Sequence, residues 1–186
     1  MAERPSDPGF AMTELQGWSL TQLDFRPDHG AGLEAALRRC WNLSLPPRVG
    51  DVLGQAPVQA MRLAPDRVWI LAESAAAQPA EAAEAWASAL CLTHGRRRYR
   101  LVGSRCTEVL AKGIALDLEG SALASGRAAQ TQLHRVPVLL HRREAQSFDL
   151  FVPRSFSESL EAWLADAARE TGWKPPAAAQ RPSRAM

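Results

Sequence analysis

Lysine is almost missing from this 186-residue chain: two Lys stand beside twenty Arg. The bias fits GC-rich coding or interface use, since Arg is favoured and Lys depleted where proteins meet. Long charge blocks are missing too, and a formal charge of +2 with a pI near 8.6 is too mild to call for a polyanionic partner. Cysteine is scarce and odd in number. Cys40, Cys91 and Cys106 form no Cys-x-x-Cys pair, so neither a disulfide framework nor a zinc knuckle is expected. No run approaches the ~20 apolar residues of a membrane-spanning helix. Residues 1–19 carry Glu3, Asp7 and Glu14 with no continuous apolar core, unlike a secretory signal. These absences lead to the expectation of a reducing cytoplasm. Gly50 and Gly54 are followed by no Lys-Ser or Lys-Thr, and the chain has no dinucleotide fingerprint.

What is present is 46% hydrophobic residues, enough for a substantial core. The most regular stretch is 147–172. Phe148, Leu150 and Val152 alternate with Asp149 and Phe151, the two-residue period of a strand, and Pro153 ends it. Ser155 stands three residues before Glu158, the spacing of a capping box. The helix that follows places Phe156, Leu160, Trp163, Leu164 and Ala167 on one face, with Gly172 as its stop.

Elsewhere, strands are expected at 18–25, 58–63, 68–71, 98–102 and 133–141, with Pro65-Asp66 turning one pair into a hairpin. Helices are expected over 33–41, 81–92 and 104–112, the second through its alanines. The order is β-α-β-β-α twice. That predicts an α+β fold of mixed or antiparallel sheets with covering helices, in two pseudo-repeated halves, 18–92 and 96–173. Residues 1–17 are expected to form a loose, flexible arm, 75–80 a low-complexity joint and 174–186 a tail.

Candidate chemistry is thin. His29, His94, His134 and His141 are dispersed, read as an exposed loop residue, a helix-end residue and two strand-surface residues. Cys91 and His94 lack two further ligands for zinc. Cys106 beside Glu108 has no base, Ser104 lies in no nucleophile elbow, and Cys40 is read as a small core residue. Asp117 and Glu119 share a strand-like spacing, with Leu116 and Leu118 marking an ordinary wet and dry face. Arg96, Arg97, Arg98 and Arg100 are the densest basic cluster. Without a patterned aromatic platform, they point to a solvated turn or an acidic partner surface rather than nucleic acid. Six Trp accompany a single Tyr. Trp86 and Trp163 fall on helical core faces, while Trp18, Trp41, Trp69 and Trp173 extend the core or anchor a partner. No catalytic, cofactor-binding or metal-ligating residue is assigned, and the pattern favours a binding or scaffolding chain.

Three stretches in order carry a family resemblance. They are Phe148-Asp149-Leu150-Phe151-Val152-Pro153-Arg154-Ser155-Phe156 with Ser159-Leu160 and Trp163-Leu164; Val109-Leu110-Ala111-Lys112-Gly113 with Leu116-Asp117-Leu118; and Gly126 with Gln130-Thr131 and Val138-Leu139-Leu140. Over about residues 20–172 the chain resembles the gamma subunit of heterotetrameric sarcosine oxidase. The resemblance implies the fold of the aminomethyltransferase folate-binding domain and a complex with alpha, beta and delta subunits. It further implies that FAD, FMN, NAD, tetrahydrofolate and zinc belong to those partners and none to this chain. The complex oxidatively demethylates sarcosine to glycine, forms hydrogen peroxide and passes the one-carbon unit to folate. Two departures stand out. The family often shows Asp-Leu-His-Pro where Asp117-Leu118 is followed here by Glu119-Gly120. The related folate-dependent iron–sulfur maintenance proteins carry Lys-Gly-Cys, where Lys112-Gly113 precedes Ile114 here. The alternatives are a free-standing folate-binding or one-carbon transfer protein, and the equivalent subunit of a complex acting on another N-methylated amine.

Overall fold

Phe148, Leu150 and Val152 point to one side of their strand and Asp149 and Phe151 to the other, and all five are buried. A strand dry on both faces must lie between two packed layers. The computed structural model describes residues 9–74, 81–120 and 123–173, and it supplies both layers. In chain order its elements are β1 (Ala11–Leu15), β2 (Ser19–Asp24), α1 (Gly30–Trp41), β3 (Val52–Gln55), β4 (Val58–Ala64), β5 (Arg67–Ala72), α2 (Glu81–Glu84), β6 (Ser88–Cys91), β7 (Arg96–Val102), α3 (Cys106–Ala111), β8 (Arg127–Leu133), β9 (Val136–Glu144), β10 (Ser147–Pro153) and α4 (Ser157–Ala167).

The strands form two five-stranded antiparallel sheets, ordered β1-β7-β10-β9-β8 and β3-β4-β5-β2-β6. Leu150, Phe148, Tyr99 and Leu101 pack on Val109 and Leu110 of α3 and on Leu160 and Leu164 of α4. Leu23, Ala60, Val68 and Ile70 of the other sheet pack on Leu33 and Leu37 of α1. Between the sheets lie Leu20, Met61, Trp69, Leu71, Leu139 and Phe151. Trp69 and Trp18 meet the Phe151 ring edge-on, at centroid distances of 6.2 and 6.0 Å. The architecture is therefore helix, sheet, sheet, helix. No helix among the described residues is long and apolar enough to cross a membrane.

Both sheets share one internal order: a three-stranded meander, then the strand that opens each half, then an edge strand. The edge strands are exchanged. β1 immediately precedes β2 yet pairs with β7 in the other sheet; β6 immediately precedes β7 yet pairs with β2. The chain thus crosses between sheets twice, at residues 16–18 and 92–95. Gly17, at φ 75°, allows the first sharp crossing. Leu92 N–H donates to Leu20 O at 2.8 Å, and Leu20 N–H donates to Thr93 Oγ1 at 2.9 Å, fastening the second crossing to the strand after the first.

Several expectations need correction. The arm over 1–17 is not loose in its described part, because β1 pairs along β7 and Phe10 is fully buried. The helix over 81–92 stops at Glu84, and Ser88–Cys91 pairs with β2 instead; cross-strand hydrogen bonding there overrides alanine's helix preference. Trp86 is accordingly 39% exposed rather than a core residue. The expected strand over 133–141 is a hairpin. Residues 127–133, most of which fall in no expected element, pair with β9 across His134 and Arg135, both at positive φ, 47° and 68°. Each half thus holds a three-stranded meander, one strand more than expected. The capping box does not form, because a 3-10 turn at Arg154–Phe156 moves the helix start to Ser157. Ser157 Oγ instead donates to Arg154 O at 2.9 Å, and Phe156 is 46% exposed. The joint at 75–80 and the tail at 174–186 lie outside the described residues.

The β8–β9 turn has the backbone signs of a type I′ hairpin, which favours glycine at such positions. Arg135 is exposed there. Arg135→Gly is expected to raise stability by about 0.5–1 kcal/mol, the left-handed strain removed less the entropy lost by glycine. A lower denaturant midpoint for the variant would contradict this turn geometry.

Candidate functional site

Alternation along β7 sends Arg96, Arg98 and Arg100 to the inter-sheet side, and Arg97, Tyr99 and Leu101 to the helix side. Arg98 is fully buried. Its Nη1 and Nη2 donate to Glu73 at 3.0 and 2.9 Å, a two-bond fork onto a carboxylate just past β5 of the opposite sheet. Its Nη2 and Nε also donate to Asp149 Oδ2 at 2.6 and 3.2 Å. Asp149, fully buried on β10, further accepts from Arg100 Nε and, at 3.4 Å, from Arg143 Nη1. Burial opposes its charge, but the hydrogen bonds and positive charge of Arg100 and Arg98 prevail and hold its carboxyl below the usual carboxylate range.

His141, opposite Asp149 on β9, is 2% exposed, and its Nδ1 has no hydrogen-bond partner. Burial pushes it down to about 4; the Asp149 charge opposes the shift, and the nearby arginines reinforce it. The imidazole is therefore neutral at pH 7. On the helix side, Tyr99 Oη donates to Glu161 of α4, and burial followed by that carboxylate pushes the phenol's pKa up.

Where the chain crosses between sheets, the two crossings line a cleft of about 410 Å³. One crossing contributes Glu14, Leu15, Gln16, Gly17 and Trp18, and the other Thr93, His94, Arg96 and Arg97, with Arg154 at the end of β10. Arg97 Nη1 donates to both Glu14 oxygens at 3.0 Å, and Trp18 Nε1 donates to Leu15 O at 2.7 Å. Arg96 lies over the Trp69 ring, 5.3 Å from its centroid. The cleft is cationic.

The sequence candidates scatter across the molecule. The basic cluster is no solvated turn: it forms β7, and Arg97, Arg98 and Arg100 are paired internally. Cys40 is exposed, correcting its core reading; Cys91 is also exposed, while Cys106 is buried and its thiol pushed up to about 12 by burial. His141 is buried, not on a strand surface. His134 lies in a turn, stacked on Trp163 at 5.1 Å and 16°. His29 meets the Trp86 ring edge-on, and His94 closes the second crossing. Asp117 and Glu119 share no strand face; Asp117 Oδ1 accepts from the backbone N–H groups of Glu119 and Gly120 at 3.0 and 2.9 Å, forming a turn. Ser104 lies in the turn between β7 and α3. Among the described residues no group of three or more His, Cys, Asp or Glu is placed to hold a metal ion. Trp18 and Trp69 are buried, and Trp41, Trp163 and Trp173 are partly buried.

Sequence reasoning missed Glu14, Glu73, Asp149 and Arg154. Asp149 had a signal: it shares its strand face with Phe151, so a dry face there forces its charge to find a buried cation.

Comparison with known proteins first defines the class of fold. Aminomethyltransferase T of the glycine cleavage system from Bartonella henselae superposes with a TM-score of 0.60 at 17% identity, covering 87% of this chain and 46% of that one. That likeness establishes the two-sheet α+β fold. The chain belongs to the sarcosine oxidase, gamma subunit family, whose model matches residues 32–170. It is 33% identical over 164 residues to sarcosine oxidase subunit gamma of Corynebacterium sp. strain P-1, covering 83% of this chain and 79% of that protein. It is 34% identical over 156 residues to the strain U-96 protein, covering 81% and 76%. A solved chain of the heterotetrameric sarcosine oxidase from Corynebacterium sp. U-96 in complex with pyrrole 2-carboxylate matches with a TM-score of 0.80 at 27% identity, covering 93% of this chain and 90% of that one.

The buried His141 makes stability depend on pH. Its folded pKa, about 4, lies below the unfolded value near 6.5, so the unfolded state binds more protons between those limits. The stabilisation is complete above about pH 6.5 and declines as pH falls towards 4. At pH 5 the expected loss is on the order of 2 kcal/mol relative to pH 7.5, by the same linkage. Urea unfolding at both values should show it, and His141→Gln should largely abolish the difference. Equal pH slopes in the two proteins would refute a neutral buried imidazole.

Proposed function

We propose that the chain is the accessory gamma subunit of a heterotetrameric sarcosine oxidase and turns over no substrate alone. The match to a chain of the Corynebacterium heterotetramer over nine-tenths of both lengths carries this reading. In it, alpha, beta and delta subunits hold FAD, FMN, NAD, tetrahydrofolate and zinc. They convert sarcosine to glycine and hydrogen peroxide and pass the one-carbon unit to folate. This chain, as one unit over residues 18–173 joined by the β1 edge strand, supplies a docking body in the reducing cytoplasm.

Two features of the chain support that division of labour. Trp86 and Leu90, 39% and 54% exposed at the β6 edge, give apolar surface of the kind a partner covers. The carboxylates nearest the inter-sheet space and the cleft are engaged: Asp149 and Glu73 by Arg98, Glu14 by Arg97. A tetrahydrofolate head presents N–H donors that need free acceptors, and these side chains do not offer them.

Co-expression with alpha-, beta- and delta-like subunits is expected to yield a stoichiometric complex containing this chain. Purification of the chain alone under mild salt, with partners soluble in the same lysate, would contradict the proposal. Calorimetric titration of the isolated chain with tetrahydrofolate is expected to show no specific heat. A stoichiometric isotherm would favour folate binding by this chain itself.

A further inference from the structure

Among the described residues, Arg96 is the one member of the β7 arginine cluster with no carboxylate partner. Arg97 has Glu14, Arg98 has Glu73 and Asp149, and Arg100 has Asp149. Arg62 and Arg142 also lack a carboxylate, but each donates to backbone carbonyls. Arg96 is half-buried and lies over the Trp69 ring. Burial pulls its pKa down, the sign of a guanidinium that has lost water without gaining an anion. The same cleft holds the exposed Arg154 and His94, and its one acid, Glu14, is already taken by Arg97. Counting Arg96, Arg97 and Arg154 against Glu14, the cleft's Arg and Glu side chains leave a surplus of two positive charges.

The geometry points to this cleft as the seat of an acidic side chain, Asp or Glu, brought by a partner subunit and paired with Arg96 and Arg154. The inference rests on the subunit reading above. Charge complementarity selects the occupant: the uncompensated groups are guanidinium forks, whose best geometric match is a planar carboxylate. A protein segment fits better than a small anion because Arg154 and His94 stand exposed, leaving the cleft open rather than enclosing a ligand. Phe156, 46% exposed, follows Arg154 by two residues in the chain, an aromatic near an Arg of the kind interfaces favour. Arg96 is already immobilised over Trp69, so pairing costs it little further side-chain entropy.

The test uses the full chain co-expressed with its partner subunits, as wild type, Arg154→Glu and Arg96→Gln. Thermal unfolding of each isolated chain serves as the folding control. Arg154 is exposed, so its reversal should leave the melting temperature unchanged while complex recovery falls about tenfold or more at physiological salt. Arg96→Gln should lower recovery in the same direction, and wild-type recovery should decline steeply as salt rises. Wild-type recovery by both variants would overturn the inference and leave the subunit reading standing. Failure of the wild type to recover any partner would overturn both. Citrate serves as the small-anion probe: tight binding to the isolated wild-type chain, lost in the variants while assembly is unchanged, would make this a small-molecule site and overturn the inference.

Discussion

A carboxylate that cannot reach water must be surrounded by cations, and Asp149 imposes that condition on the whole molecule. It lies on β10, between β7 and β9, with its face turned towards the second sheet. Arg98 meets the requirement from β7, and Arg100 and Arg143 meet it from the same strand and from β9. Arg98 then reaches Glu73 in the opposite sheet, so the pair that neutralises Asp149 also ties the sheets together. Beside this charged region the inter-sheet space is apolar, filled by Trp69, Phe151, Met61 and Leu139. The apolar part supplies the burial energy; the ionic part fixes how the sheets lie over one another, because a displaced Arg98 would leave charge unpaired.

The exchange of β1 and β6 follows the same logic. The strand just before β2 completes the sheet of β7, and the strand just before β7 completes the sheet of β2, so the chain passes twice between the sheets. The two crossings meet at one end and line the cationic cleft between them. A chain built this way keeps the carboxylates Asp149, Glu73 and Glu14 occupied with its own arginines and leaves unpaired positive charge at the cleft and exposed apolar side chains at the β6 edge. The proposed docking role rests on those features.

Much of this was legible in the residues. The alternation at 148–152, the hairpin around Pro65-Asp66 and the family stretches led to the right fold class and family because each rests on local period, turn chemistry or a run of specific side chains. What failed depended on distant pairing. Residues 88–91 have helical composition and become a strand because β2 offers an open edge. His134-Arg135 carries none of the Asn-Gly chemistry that announces a tight hairpin, so two strands looked like one. Ser155 had the right spacing for a cap, but a 3-10 turn placed the helix start two residues later. The cleft was invisible because residues 14–18 and 93–97 meet only through the strand exchange, and a run of arginines gives no sign of which will find internal acids.

A double-mutant cycle across Arg98 and Asp149 tests the central claim most directly, that the buried Asp149 charge is held by Arg98, the side chain that also reaches Glu73 in the opposite sheet. Arg98→Met and Asp149→Leu should each cost up to about 3–5 kcal/mol in equilibrium unfolding, because each removes a direct partner of a fully buried charge and leaves it only its remaining pairs. The double variant should cost less than their sum by at least about 2 kcal/mol, the mark of direct coupling. Costs that add to within about 0.5 kcal/mol would mean that the two residues act independently, and Arg98 would not be what neutralises Asp149.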